Sequence, residues 1–340
     1  MSTGSQSSTP KPRSLTGQTL FRVAVGVALI VALSSGITYR LLYQQLEQRA
    51  LERLRDYSQQ RAQLHESRFA LGKAFHEIIK ADLVRRYQQS PPDAEQRFNA
   101  LMKHYPDGAW RNRAEYDDVT RYSTGWIHKD AHIDAEFRRR WMLFFDVSEH
   151  YSRLVTSRFV NFYLMHPTEM CNMGFDDPTK SGNLQWAALT PADYPMNERE
   201  HFSAANRVNN PSGRTVWAGP YFEPVYNQIL VSVLTPVYVG NEQIATIGSD
   251  DLLGDLEATI LRSDIPGASH TVFRKDGRLV VDPHYMRRIV ESHNGFNIGD
   301  SHDVRLQTLW NLALPVVDKP VYGYAKTIDQ YYAIGLLLAR

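Results

Sequence analysis

The run Val23–Tyr39, VAVGVALIVALSSGITY, carries no charge and is bounded by Arg22 and Arg40, and it constrains this chain more than any other feature. At about 1.5 Å of rise per residue, such a run with its flanks just reaches across a hydrocarbon core of roughly 30 Å. Residues 1–22 before it hold Lys11, Arg13 and Arg22 and no acidic residue, amid Ser, Thr, Pro and Gly. That composition reads as a solvated basic tail, and basic residues on this side place it in the cytoplasm. Residues 23–39 therefore read as an uncleaved anchor, because the helical pattern continues past Ser34. A cleaved signal peptide competes with this interpretation, since Ala32-Leu33-Ser34 offers small residues at a cleavage-like spacing.

From Tyr39 to Gln89 there is no proline and a single glycine, Gly72, so residues 40–90 are expected to form a stalk helix that ends at Pro91-Pro92. Tyr43, Ala50, Tyr57, Leu64, Leu71 and Ile78 recur every seven residues along it. Glu47, Arg61, Arg68 and Asp82 interrupt the same seam and exclude a fully apolar coiled coil. One apolar stripe of this kind suits packing against a domain or a parallel homodimer, and a solvated stalk is the plainer alternative.

The 340 residues predict about two further cores. Lys plus Arg number 38 against 37 Asp plus Glu, a balance without the positive field of a nucleic-acid binder. Cys171 stands alone, so neither an intramolecular disulfide nor a thiolate metal cluster is expected.

Residues 94–163 read as mainly helical, with AEFRRRWMLFFDVSEHYSRLV the clearest amphipathic piece. The period then changes. RFVNFYLM, ILVSVLTPVYV and QIATIGSDDL are short β-branched or aromatic runs, with a hairpin at Gly240-Asn241. A helix in DLLGDLEATILRSD leads past Pro266-Gly267 to HTVFRKDGRLVVDP, PVYGYAKTI and YYAIGLLL, the first folding back at Lys275-Asp276-Gly277. The expected fold class is α+β: a membrane and stalk helix, then a distal module over 91–262 and a proximal one over 263–340.

The order of elements resembles the double Cache domain, the PAS-like extracytoplasmic sensor of bacterial chemoreceptors, histidine kinases and diguanylate cyclases. Trp217 to Leu256 is similar to that family's strand–hairpin–strand run closing on Gly-x-Asp, and FRKDGRLVVDP to the opening hairpin of its second module. The resemblance spans residues 40–340, is closest over 194–290, and implies two antiparallel PAS-like sheets. Members that bind amino acids carry Tyr, four residues, Arg, one residue, Trp-Tyr, then a later Tyr and a strand-end Asp. By that resemblance Tyr194, Arg199, Trp217, Tyr221 and Asp250 are ligand-binding candidates, joined by His201 and Phe202 at the Trp-Tyr positions. This departure removes a hydroxyl from the carboxylate-holding end, because Phe202 has none to donate.

Elementary chemistry supports the same assignment. Asp250 ends an apolar strand and suits a ligand ammonium, Tyr194 and Tyr221 offer aromatic faces to a cation, and Arg199 offers a planar fork to a carboxylate. The blander alternative pairs Arg199 with Asp250. His128 and His132 lie four apart and would share one face if helical, while MHPTEMCNMGFDD reads as a loop or strand edge. In the doublets Asp250-Asp251 and Asp176-Asp177, neighbouring side chains on an extended chain point apart, which disfavours paired acid–base chemistry. No catalytic motif, metal site or cofactor site is expected. The expected function is the periplasmic ligand-sensing portion of an inner-membrane receptor whose output domain, a kinase or cyclase, lies outside these residues. A membrane-anchored assembly protein is the alternative from another class, and an anchored hydrolase a third.

Overall fold

The computed structural model describes residues 15–89, 93–181, 186–260, 270–274, 276–292, 295–313, 324–326, 331–333 and 335–338. Much of the basic tail, Pro91-Pro92, Pro266-Gly267 and Lys275 lie outside the described residues, as does the side chain of Leu64. The chain divides into two compact units, Met1–Tyr57 and Ser58–Arg340. Helix α1 is continuous over Leu15–Gln89, as the absence of proline predicts. Within it, Leu15–Ala50 contains an 18-residue stretch with a mean hydropathy of 2.1 and is long and apolar enough to cross a membrane.

In the second unit an eight-stranded sheet carries most of the core. Its strands are β1 (Met102–His104), β2 (Trp110–Asn112), β3 (Thr124–Ile127), β4 (Asn161–Met165), β5 (Cys171–Asp176), β6 (Val216–Glu223), β7 (Gln228–Val239) and β8 (Glu242–Leu252). The spatial order is β1-β2-β3-β5-β4-β8-β7-β6, and every pairing in it is antiparallel. The two-residue turn Gly240-Asn241 joins β7 to β8, with Gly240 at φ 59.

Period-two alternation gives this sheet two different faces. Val233, Val237, Ala245, Ile247, Phe162 and Leu164 pack beneath α2 (Ala94–Leu101), α3 (Ala135–Thr156) and the last turns of α1, with Trp141, Phe144 and Leu83 filling the layer. The intervening residues, Leu230, Leu234 and Tyr163 among them, lie on the opposite face with Trp126, Trp186 and Tyr194. Helix α1 meets the sheet through Gly72, His76, Ile79 and Leu83, not through the heptad positions, for Ile78 is 59% exposed. Gly72 permits the approach, since a Cβ there would lie 3.0 Å from the Phe159 ring. His76, fully buried, spans two strands: Nδ1 is 3.0 Å from Thr235 Oγ1 and Nε2 is 3.1 Å from Ser249 Oγ.

Three short helices, α4 (Pro178–Ser181), α5 (Trp186–Leu189) and α6 (Glu200–Ser203), follow β5, and α7 (Leu253–Ile260) follows β8. A second sheet has the order β11-β10-β9-β14, from β9 (Thr271–Arg274), β10 (Arg278–Val281), β11 (Phe296–Asn297) and β14 (Gly335–Leu338). Its β14 runs parallel to β9, so this sheet is not purely antiparallel. The remaining elements are α8 (Met286–Glu291), α9 (Ile298–Ser301), α10 (Val304–Ala313) and the pair β12 (Tyr324–Lys326) and β13 (Tyr331–Ala333). Gly277 turns the β9–β10 hairpin at φ +86, where a Cβ would strike the Trp310 ring.

Three sequence expectations are corrected. Residues 94–163 are not mainly helical, because β1, β2 and β3 lie between α2 and α3. His128 and His132 share no helix face: β3 ends at Ile127, the chain is irregular up to α3, His128 is buried, and the His132 side chain is 83% exposed. Cys171–Asp176 is neither loop nor edge but an interior strand flanked by β3 and β4.

Candidate functional site

The pocket-side residues of five strands converge beneath α5 and α6. Thr124 on β3, Asn172, Gly174 and Asp176 on β5, Asn161 and Tyr163 on β4, Asp250 on β8, and Tyr221 and Glu223 on β6 form the floor. Trp186, Ala187, His201 and Tyr226 close the cavity from above. Its volume is about 30 Å³, room for about two waters at 10–15 Å³ of such volume each.

Among the described residues Asp250 is held by neutral donors. Tyr163 Oη donates to Oδ1 at 2.9 Å, Ser232 Oγ to the same oxygen at 2.5 Å, and Asn161 Nδ2 to Oδ2 at 2.7 Å. Ser232 stands directly across from Asp250 in the β7–β8 register and also meets the Tyr221 hydroxyl at 2.8 Å. Gly248 makes this possible. It lies opposite Tyr163, and a Cβ at that position would fall 2.0 Å from the Tyr163 ring. The Gly-x-Asp sequence thus has a physical meaning here: the glycine admits the tyrosine whose hydroxyl the aspartate receives.

Asp176 accepts the Tyr226 hydroxyl at 2.6 Å and the Trp186 backbone N–H at 3.3 Å. Glu223 accepts the Val225 N–H at 3.2 Å. All three carboxyl groups are buried, and among the described residues none has a lysine or arginine within ion-pair distance. Burial raises the Asp250 carboxyl above its ordinary value, and it lifts Asp176 to about 6 and Glu223 to about 7, with the Asp250 charge pushing the same way. Burial also lowers His201 to about 4, so the imidazole is neutral near pH 7. It stacks on Tyr221, ring centroids 4.7 Å apart.

Of the seven residues chosen from the sequence, His201, Tyr221 and Asp250 line this cavity together. Tyr194 lies behind the wall, edge-on to Trp186 at 5.7 Å and to Trp126 at 6.3 Å. Arg199 sits over the Tyr194 ring at 5.3 Å, its Nε buried without a hydrogen-bond partner, and does not pair with Asp250. Phe202 packs with the same aromatic cluster. Trp217 is on the other face of β6, against the helix-side and second-sheet cores, and leaves the cavity set. The sequence reading missed Asn161, Tyr163, Asp176, Trp186, Glu223 and Tyr226. Both aspartate doublets do point apart, and each sends its first carboxylate into the same cavity. Among the described residues no three His, Cys, Asp or Glu side chains are placed to hold a metal ion.

No protein-family model matches the chain, and no curated protein matches it. Solved structures do. Its structural neighbours are sensory domains of bacterial chemoreceptors. The sensory domain of Campylobacter jejuni Tlp3 is 12% identical with a TM-score of 0.47, over 85% of this chain and 88% of that one. The ligand-binding domain of Pseudomonas aeruginosa PctB, in complex with L-Gln, is 20% identical with a TM-score of 0.35, over 55% of this chain. The match spans 63% of the PctB domain, less than two thirds of it. The domain of Pseudomonas fluorescens CtaA with L-serine is 15% identical with a TM-score of 0.35, over 54% of this chain and 68% of that one.

Proposed function

We propose that this chain is the ligand-sensing portion of an inner-membrane receptor and that the cavity beneath α5 and α6 takes a small ligand through a cationic amine. One observation carries the proposal: three buried carboxyl groups face a single cavity with no cationic side chain in ion-pair contact among the described residues. Burying a charge without a partner is costly, so the empty site keeps protons that an incoming ammonium displaces. The tyrosine rings and Trp186 supply apolar and π surface around that charge. Arg199 does not line the cavity, so the ligand's acidic end is weakly served and amines are favoured over α-amino acids. The chain acts by binding rather than by catalysis.

The test is a thermal-shift and calorimetric screen of the full chain in detergent against primary amines, diamines, L-amino acids and organic acids. Removing one partner from a buried charge pair costs about 2–5 kcal/mol, so Asp250→Asn weakens the best amine on the order of thirtyfold or more. A strongest ligand that is anionic, or unchanged amine binding in both Asp250→Asn and Asp176→Asn, refutes the assignment.

The anchor and its orientation belong to the same proposal, with α1 crossing the membrane once, the basic tail cytoplasmic and the sheets periplasmic. Exposed Glu198, changed to cysteine, is then labelled by a membrane-impermeant maleimide on intact spheroplasts, while buried Cys171 stays silent. Labelling only after lysis refutes this topology.

A further inference from the structure

The cavity is much smaller than the roughly 300–1,000 Å³ of ordinary ligand sites, so an entering molecule must push back a wall. The floor is a hydrogen-bonded sheet, whereas the part of the cover that carries His201 is α6, a single turn. The residue beside His201 is Glu200, and its carboxylate faces away from the cavity. It accepts Arg274 Nη1 at 2.6 Å, Arg278 Nη1 at 2.6 Å and Arg278 Nη2 at 2.9 Å. Both arginines belong to the β9–β10 hairpin of the second sheet. Arg274 Nη1 also donates to Gly219 O at 2.8 Å, two residues before the Tyr221 on which His201 stacks. Asp276 in the hairpin turn braces both guanidinium groups, at 3.3 Å from Arg274 and 2.8 Å from Arg278. Two segments of pocket wall, 200–201 and 219–221, are thereby gripped by one ionic cluster of another sheet.

We propose, resting on the ligand-sensing function above, that Glu200 is a positioning residue through which displacement of the pocket cover is carried into the β9–β10 hairpin. The geometry suits the task. A charge-assisted, bidentate pair holds direction as well as distance, and side chains only 16–27% exposed are less screened than surface pairs. Movement of α6 away from the floor therefore shifts the hairpin or breaks the cluster, and in either case the second sheet registers the event.

The test fills the cavity without a ligand. Ala187 closes it from α5, so Ala187→Leu in the full chain fills the cavity and wedges its cover away from the floor. Hydrogen exchange by mass spectrometry is compared in wild type, Ala187→Leu, Glu200→Gln and the double variant, with Glu198→Gln as a charge control. We expect Ala187→Leu to change exchange in the β9–β10 hairpin about fivefold, the scale of losing one such ion pair, and Glu200→Gln to abolish that response. An unaltered hairpin in Ala187→Leu, or an equal response with Glu200→Gln present, overturns the proposal. Should Ala187→Leu fail to fold, Ala187→Val applies the same pressure with less volume. No ligand enters this measurement, so its failure is separate from failure of the amine assignment.

Discussion

His76 ties α1 to the sheet and makes that tie sensitive to acid. Burial lowers its imidazole from an ordinary 6.5 to about 3, so the folded chain keeps it neutral between Thr235 and Ser249. In the unfolded chain the same group takes a proton near pH 6.5. Because the folded value is the depressed one, its contribution to stability is complete above pH 6.5, falls as pH drops below that, and levels near 3. At pH 5.0 the unfolded state has gained about 1.5 pH units of proton affinity, worth about 2 kcal/mol at about 1.36 kcal/mol per unit. Asp176 and Glu223, with raised values, work in the opposite direction between their unfolded values and about 6 and 7, so wild type alone does not isolate the effect. The comparison with His76→Gln does. Urea titrations of both full chains in detergent, at pH 7.5 and 5.0, should show wild type ahead at pH 7.5 and that lead shrinking by about 2 kcal/mol at pH 5.0. A lead that is the same at both pH values would mean that His76 is already charged or solvated in the fold.

Three further outcomes are expected. Affinity for an amine ligand should fall by roughly tenfold or more between pH 7.5 and 5.5, as Glu223 and Asp176 take up the protons that the cation must displace; calorimetry showing no proton release and no pH dependence contradicts this. Gly248→Ala should cost about 1–3 kcal/mol of stability by driving a methyl group into the Tyr163 ring, and amine binding should weaken because Tyr163 leaves Asp250; denaturant melts and the ligand screen check both effects. Cysteines at Tyr43 or Tyr57 should crosslink in membranes faster than one at Gln60 if α1 pairs with a second copy; equal rates at all three sites would exclude that seam.

The long strands were legible because β7 and β8 are sustained β-branched or aromatic runs that meet at a Gly-Asn turn. Asp250, Tyr221 and His201 were legible through the resemblance to the double Cache ligand motif. Asp176, Tyr163 and Glu223 were not, because what unites them is the sheet order β3-β5-β4-β8-β7-β6, which places strands distant in sequence side by side. Asp176 was set aside for sitting in a doublet whose members diverge, and that same divergence turns it into the pocket. Strands β1, β2 and β3 escaped notice for another reason: Met-Lys-His, Trp-Arg-Asn and Thr-Gly-Trp-Ile are too short to display a period. Gly72, the single glycine of the stalk, and His76 mark where the helix touches the sheet, which no pattern in the stalk sequence announces.

Consecutive residues of β8 serve opposite masters: Ser249 meets the helix-side histidine and Asp250 the cavity. Inserting one residue between Gly240 and Gly248 would put the Ser249 hydroxyl where the Asp250 carboxylate stands, and deleting one would put the Asp250 carboxylate against the neutral imidazole under α1. Descendants of this gene are therefore free to lengthen the loops after β5 or before β6, but an indel inside β8 would disrupt both the cavity floor and the helix attachment in a single step. Changes of ligand preference in this lineage should accordingly arrive as point substitutions on the strands and as length variation only in the cover.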